Sequence, residues 1–307
     1  MIDISVIIPH KNIPQELKRC LDSIPILSNV EVIIVDDNSK PEITKDKDFP
    51  GLKRENTLVI FDKSGKGAGS ARNIGLRSSK GKWIMFADAD DFFHKNAFLK
   101  FLNIIKSNAD FYVFDTDSVM SNTLKKVNNR EDVAFRYKKT KDDNILRYMH
   151  HSVWGKIFKK ELCLKQGFEF QEVKASNDAY FAACYGVYAK TVEFVDYIGY
   201  CCTVRSGSIC TRLSLDNVMA RIKVVEVVNQ LYANNEVKKK YWMNRLGPLF
   251  NLRSIDTSLF IFQFLKYLIK TPILRLIMDF FDSGSRYFYR IMGKVNDRDI
   301  KKLQIVK

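Results

Sequence analysis

"KWIMFADADDFF", residues 82–93, runs an apolar, β-type stretch straight into three carboxylates, Asp88, Asp90 and Asp91. Four other near-continuous apolar runs share its first half: "ISVII" (4–8), "VEVIIV" (30–35), "TLVIF" (57–61) and "DFYVFD" (110–115). Unbroken runs of this length are the pattern of strands covered on both faces. Between the first two, Leu17, Cys20, Leu21 and Ile24 fall on one helical face, with Asn12 and Pro14 as start signals. Phe98, Phe101, Leu102 and Ile105 repeat that spacing after the acidic cluster. Strand–helix alternation predicts an α/β fold: a mainly parallel, Rossmann-like sheet flanked by helices.

Ligands of such sheets bind beyond the carboxyl ends of the strands. At those ends this chain places "PHKN", "DDNSK" and "DADD", with "GKGAGSARNIGLRSSKG" between the third and fourth strands. Like charges crowded together raise one another's pKa unless a cation or a solvated turn offsets them. Alternate carboxylates at a strand end point to one side, which suits a hard divalent cation, Mn²⁺ or Mg²⁺, completed by phosphate oxygens and water. The competing reading is an acidic N-cap for the following helix. On these residues alone the two stand level.

Bulk properties narrow the classes. The chain has 307 residues, 46% hydrophobic and 28% charged, with a formal charge of +15. The composition is globular, and acidic partners (nucleic acid, anionic lipid, phosphorylated small molecules) match the charge. Six cysteines without a CxxC pair, two of them the neighbours Cys201 and Cys202, argue against a zinc site and against a stapled secreted domain, so reduced thiols in the cytoplasm are expected. The N-terminus enters a strand directly, and no signal peptide is expected. No glycine-rich turn follows the first strand, and "GKGAGSAR" lacks a P-loop ending. HExxH and GxSxG are missing, so hydride transfer, P-loop hydrolysis, zincin and serine-hydrolase chemistry lose ground.

Further along, residues 120–150 are polar and Lys/Asn-rich and read as a loop or irregular excursion. Helical patterning resumes in 152–163 and 176–189, and β character in 191–204. From Asp216 onward the pattern is helical and 17 basic residues stand against 8 acidic ones. This divides the chain into a catalytic unit, 1–215, and a basic helical region, 216–307. Segment 259–281 is long and apolar, but Lys266, Lys270, Arg275 and Asp279 interrupt it and Pro272 breaks it. Charges at a bilayer centre cost roughly 2.5–3.5 kcal/mol each on insertion scales, so two shorter amphipathic helices are expected rather than a span. With the basic–aromatic "SRYFYR" behind them, they suit an anionic membrane surface. The alternatives are packing on the catalytic unit or on the second subunit of a homodimer.

Taken in order, "SVIIPHKN", "VIIVDDNS", "GAGSARNIGL", "GKWIMFADADD", "VWGKIFKKEL", "NDAYF" and "RSGSI" resemble the family 2 glycosyltransferases, over roughly residues 3–210. The resemblance implies a GT-A fold and an inverting transfer from a nucleotide-sugar, a UDP-sugar foremost. Pro9, Asp36 and Asp37 match the family's nucleotide pocket, and Arg72 an arginine that helps hold base and donor. Asp88 and Asp90 match a D-x-D element, the first on ribose or sugar, the last on the metal. Asp178 matches the catalytic base. Arg205 and Ser208 match a loop that closes over the diphosphate. Trp154 and Lys156 match acceptor-side positions, with core packing the rival reading for Trp154. The family's usual Glu-Asp is Asn177-Asp178 here, which bears on acceptor contacts and acidity.

The implied acceptor is a saccharide or lipid-diphosphate-linked saccharide in bacterial surface-polysaccharide assembly, at the inner face of the plasma membrane. A non-catalytic nucleotide-sugar binder and a nucleic-acid binder are the rivals. No nucleic-acid partner is expected, because acidic strand ends would face the ligand. His10 is either a donor contact or a polar residue of a strand-end turn. His150 and His151 are adjacent and share no face, so they do not read as a metal pair.

Overall fold

Strand β1 (Ile4–His10) is buried at all seven residues and lies between β2 (Val30–Asp37) and β4 (Trp83–Phe86), parallel to both. The register runs Ile4↔Val30 to His10↔Asp36 on one side and Ile4↔Trp83 to Ile7↔Phe86 on the other. Carboxyl ends therefore emerge together. The computed structural model describes residues 1–107, 109–127, 133–204, 214–271, 273 and 276. Within them one sheet of eight strands has the order β3-β2-β1-β4-β7-β6-β8-β5, adding β3 (Thr57–Asp62), β5 (Phe92–Phe93), β6 (Phe111–Met120), β7 (Lys156–Lys159) and β8 (Val192–Val204).

Strand alternation sorts the core into two layers. Ile4, Val6 and Ile8 face helices α1 (Pro14–Asp22) and α4 (Ala97–Ile104) through Leu17, Cys20, Phe98 and Phe101. Ile7, Ile33 and Val35 face α3 (Ala68–Ser78) and α8 (Asn177–Tyr188) through Ala71, Leu76, Phe181 and Tyr185. A short helix α2 (Pro41–Thr44) follows β2. The glycines of α3 serve proximity: a Cβ on Gly75 would lie 2.4 Å from Ile7 Cγ2, and one on Gly69 would lie 2.3 Å from the Gln171 carbonyl oxygen. Overpacking of this kind costs about 1–3 kcal/mol. Close seating of α3 brings its arginine to the strand ends.

The sheet is mainly parallel, as expected, through β3-β2-β1-β4 and through β6–β8, while β7 runs antiparallel between β4 and β6 and β5 antiparallel to β8. Two expectations change. "VWGKIFKKEL" reads as helix because its Ile157-Phe158 core is too short for its period to decide. Pairing of Ile84 with Phe158 and of Tyr112 with Ile157 makes it a strand, and α7 (Lys160–Gln166) begins directly after it. The polar excursion also holds helices α5 (Val133–Thr140) and α6 (Asp143–Tyr148), the latter capped by Asp142 accepting from the Asn144 N–H. Each buries few residues (Ala134; Ile145 and Leu146), so composition hides them.

Beyond the sheet, α9 (Leu215–Asn234) buries Val224, Val228 and Tyr232 against Ala179 and Ala183 of α8. Its Val218 and Ile222 pack with Leu249 of α10 (Leu246–Arg253) and Tyr267 of α11 (Thr257–Lys270). No helix among the described residues is long and apolar enough to cross a membrane.

Candidate active site

At the end of β1, Pro9 is buried opposite Val35, and His10 is only 2% exposed. His10 Nε2 accepts from the Ile13 N–H at 3.1 Å, so Nδ1 carries the proton and donates to Asp36 Oδ2 at 2.8 Å. Ser39 gives Asp36 both its hydroxyl (2.5 Å) and its backbone N–H (2.9 Å). Asp36 is thereby committed to building the turn, and His10 serves as its internal partner. Burial works to raise the Asp36 pKa, but hydrogen bonds from His10 and Ser39 outweigh it and hold the carboxyl below its usual range. Asp37, also buried, turns to other partners, with Oδ2 on Lys11 Nζ (2.9 Å) and Oδ1 on the Gly67 N–H (2.8 Å). Gly67, at φ +96°, makes that approach in a conformation glycine adopts without strain.

The sign of the Asp36 shift sets a pH dependence. A depressed folded-state pKa contributes stability above the unfolded value of about 3.9, lost as pH falls through the folded pKa. Urea unfolding from pH 7 down to pH 3 should show a midpoint falling on the acid side, and Asp36→Asn should lose part of that fall. An unchanged acid limb in the variant contradicts the assignment.

Arg72 joins the next two elements. Its guanidinium donates to Asp88 Oδ1 at 2.5 Å and to Asn177 Oδ1 at 2.6 Å, and lies 5.6 Å from the Phe170 ring centroid. Asp88 is the first carboxylate after β4, and Asn177 opens α8 beside Asp178. The Asn177 amide oxygen accepts from the guanidinium without carrying charge. Arg72 thus pairs with one carboxylate across two elements far apart in sequence.

The DADD turn is held from three sides. The Asp90 carbonyl oxygen accepts from Arg19 of α1 and from Thr203 Oγ1 of β8, both at 2.6 Å. Asp91, 4% exposed, accepts from the Tyr200 hydroxyl at 2.8 Å and the Thr203 N–H at 2.6 Å. Tyr200 also accepts from the Asp88 N–H at 2.9 Å. Burial, then the charges of Asp88 and Asp90, push the Asp91 carboxyl well above its usual range. Asp91 anchors the turn from inside, while Asp88 and Asp90 remain half-buried with hard oxygen donors. Two partly exposed carboxylates, one of them sharing Arg72, are the sparse oxygen donor type that Mn²⁺ or Mg²⁺ takes with phosphate oxygens and water, so the pair fits such an ion.

Asp178 stands in the first turn of α8, where the helix dipole favours a carboxylate. Its charge acts on Lys156, which is 1% exposed and donates to the His150 carbonyl. Burial lowers the Lys156 pKa to about 7, against the opposing pull of Asp178. Trp154 is 6% exposed, its ring stacked on Tyr200 at 6.1 Å and 10°, and so belongs to the core that backs the DADD turn. Burial, with Lys156 nearby, lowers the His151 pKa to about 4, which keeps that ring neutral. Arg205 and Ser208 lie outside the described residues. Sequence reasoning missed Arg19, Tyr200 and Thr203, which act through folding alone and carry no local motif.

Residues 5–163 match the family model "Glycosyl transferase family 2". An uncharacterized glycosyltransferase of Haemophilus influenzae is 38% identical over 109 residues, 34% of this chain and 35% of that protein. The poly(ribitol-phosphate) beta-glucosyltransferase of Bacillus spizizenii is 28% identical over 214 residues, 66% of this chain and 33% of its own. The chain thus spans about a third of the length of each. Among solved structures, S. aureus TarS 1–349 in complex with UDP-GlcNAc superposes with a TM-score of 0.63 at 18% identity, covering 90% of this chain and 78% of that one. That likeness is one of fold, the GT-A fold.

Proposed function

The chain belongs to glycosyl transferase family 2, and from that premise we propose an inverting, metal-dependent transfer of a sugar from a nucleotide donor, foremost a UDP-sugar, to a saccharide or lipid-diphosphate-linked saccharide in bacterial surface-polysaccharide synthesis. The observation that carries the reading is the Arg72 bridge, which ties the D-x-D carboxylate Asp88 to Asn177 beside Asp178. The UDP-GlcNAc complex of TarS supports the donor class.

In this reading Pro9, Asp36 and Asp37 form the nucleotide pocket, Asp36 building it through His10 and Ser39 while Asp37 steadies Lys11 and the Gly67 turn. Asp88 and Asp90 would hold Mn²⁺ or Mg²⁺, which when bound neutralises charge growing on the leaving diphosphate. Arg72 orients Asp88 and adds positive charge at the same edge. Asp178 takes the proton of the acceptor hydroxyl as its oxygen bonds the anomeric carbon and the bond to the diphosphate breaks. Arg205 and Ser208 complete the diphosphate contacts, and Lys156 and Asn177 shape the acceptor side, with Trp154 packed behind them. A screen of uridine and guanosine donors tests this: one donor should stabilise the chain against heat and be hydrolysed faster with Mn²⁺. The absence of stabilisation by every donor overturns it.

We place the enzyme at the inner face of the plasma membrane through its 216–307 region. On α11 an apolar stripe faces water: Ile261 is 51% exposed, Phe262 63%, Leu265 52% and Ile269 84%. Lys266 belongs to the same helix. Apolar residues with a cation beside them suit an anionic lipid surface. Co-sedimentation with phosphatidylglycerol vesicles should fall with salt and drop further in Phe262→Ser/Ile269→Ser. Binding that survives both, or a stripe buried in a homodimer by sedimentation analysis, counts against lipid.

A further inference from the structure

Away from the strand-end carboxylates, the strip β6-β8-β5 brings three chemically different donors onto one face. Asp117 of β6 is the register partner of Cys201 in β8, and Phe92 of β5 faces Cys201 from the other side. His94 follows Phe92 by two residues and donates its backbone N–H to Gly199, two residues from Cys201. With a side-chain period of two, His94, Asp117 and Cys201 share a face. His94 Nε2 lies 2.8 Å from Asp117 Oδ1, and one ligand atom from each residue lies within 4.8 Å of the other two. Sγ sits at the closed end, because Cys201 is 0% exposed. The His94 and Asp117 side chains, 35% and 20% exposed, leave the other end open to water.

One imidazole nitrogen, one carboxylate oxygen and one thiolate sulfur make a borderline donor set. It is too soft for Mg²⁺ or Ca²⁺ and matches zinc, which takes all three ligand types in a tetrahedron. Bond lengths of about 2.0–2.3 Å put tetrahedral ligands roughly 3.3–3.7 Å apart, so the three atoms need move by only about an ångström. We propose that His94, Asp117 and Cys201 form a three-ligand site for zinc, with the fourth position open to water. It differs in chemistry from the oxygen-only pair Asp88 and Asp90. Zinc entry forms a Zn–S bond and releases the Cys201 thiol proton to solvent, while the imidazole proton moves from Nε2 to Nδ1. Because β5 leaves the DADD turn directly, the ion pins the exit of that turn to β6 and β8.

The absence of a CxxC pair carries no information here, since the ligands are at least 23 residues apart and only strand pairing unites them. The test uses the full chain, stripped with a chelator and titrated with Co²⁺ and then Zn²⁺. One equivalent of Co²⁺ should produce a thiolate-to-cobalt charge-transfer band with release of one proton per ion, and zinc should then abolish the band by displacing cobalt without further proton release. Cys201→Ser should remove the band, and Asp117→Asn should weaken binding at least tenfold with the fold kept by circular dichroism. Asp90→Asn should leave the band intact. A band that survives Cys201→Ser, a band lost in Asp90→Asn, or no band at all in the folded chain overturns the site.

Discussion

Asp178→Asn should lower turnover by about 10²–10⁴-fold and leave donor affinity nearly unchanged. The substitution keeps size and shape in the first turn of α8, so the helix start and the neighbouring Arg72–Asn177 bond persist. What disappears is the proton acceptor. Because Asp178 is assigned to the acceptor hydroxyl, the loss falls on kcat, while calorimetric affinity for the nucleotide stays within a few-fold. Turnover comparable to the parent removes Asp178 from the base role. A parallel loss of nucleotide affinity moves it to the donor pocket instead.

Tyr200→Phe should destabilise the chain and weaken donor binding together. The ring is 0% exposed and keeps its apolar contacts in the variant, including the stack on Trp154. Only the hydroxyl goes, and with it the link between the Asp88 N–H and the Asp91 carboxylate. Leaving buried polar partners unpaired costs about 1–3 kcal/mol, more where one is charged. Urea unfolding reads the stability loss, and nucleotide titration in the presence of Mn²⁺ reads the slackening of Asp88 and Asp90. If both quantities stay at parental values, Tyr200 does not hold the turn.

Much of this was legible in the residues. Runs such as "VEVIIV" read as strands covered on both faces, and β2 is one, whereas "TLVIF" of the same pattern forms β3, where Leu58 and Phe61 are exposed. Leu17, Cys20 and Leu21 mark one buried side of a helix, because that period follows from backbone geometry. The carboxyl-end position of Asp36, Asp37, Asp88 and Asp90 follows from the same runs, since a parallel sheet delivers every strand end to one edge. The family motifs, read in order, carried the donor class and the roles assigned to Asp178 and Arg72.

Other features depend on pairings between residues far apart, which no local pattern encodes. "KIFK" became an antiparallel strand because an open position between β4 and β6 offered partners for its backbone, and a four-residue run has no period with which to refuse. Asp91 differs from Asp90 only because β8 brings Tyr200 and the Thr203 N–H to it, turning one carboxylate inward while its neighbours stay at the edge. His10 acquired its tautomer from Ile13 and Asp36, and His94, Asp117 and Cys201 met only across three strands. Sequence by itself determined strands β1 to β4, the apolar faces of α1 and α4 and the edge where charge collects, through local periodicity and chain direction. Tertiary structure alone decided which of those charges is buried, paired or free to meet a ligand, because burial and hydrogen bonding are set by neighbours the chain reaches only on folding.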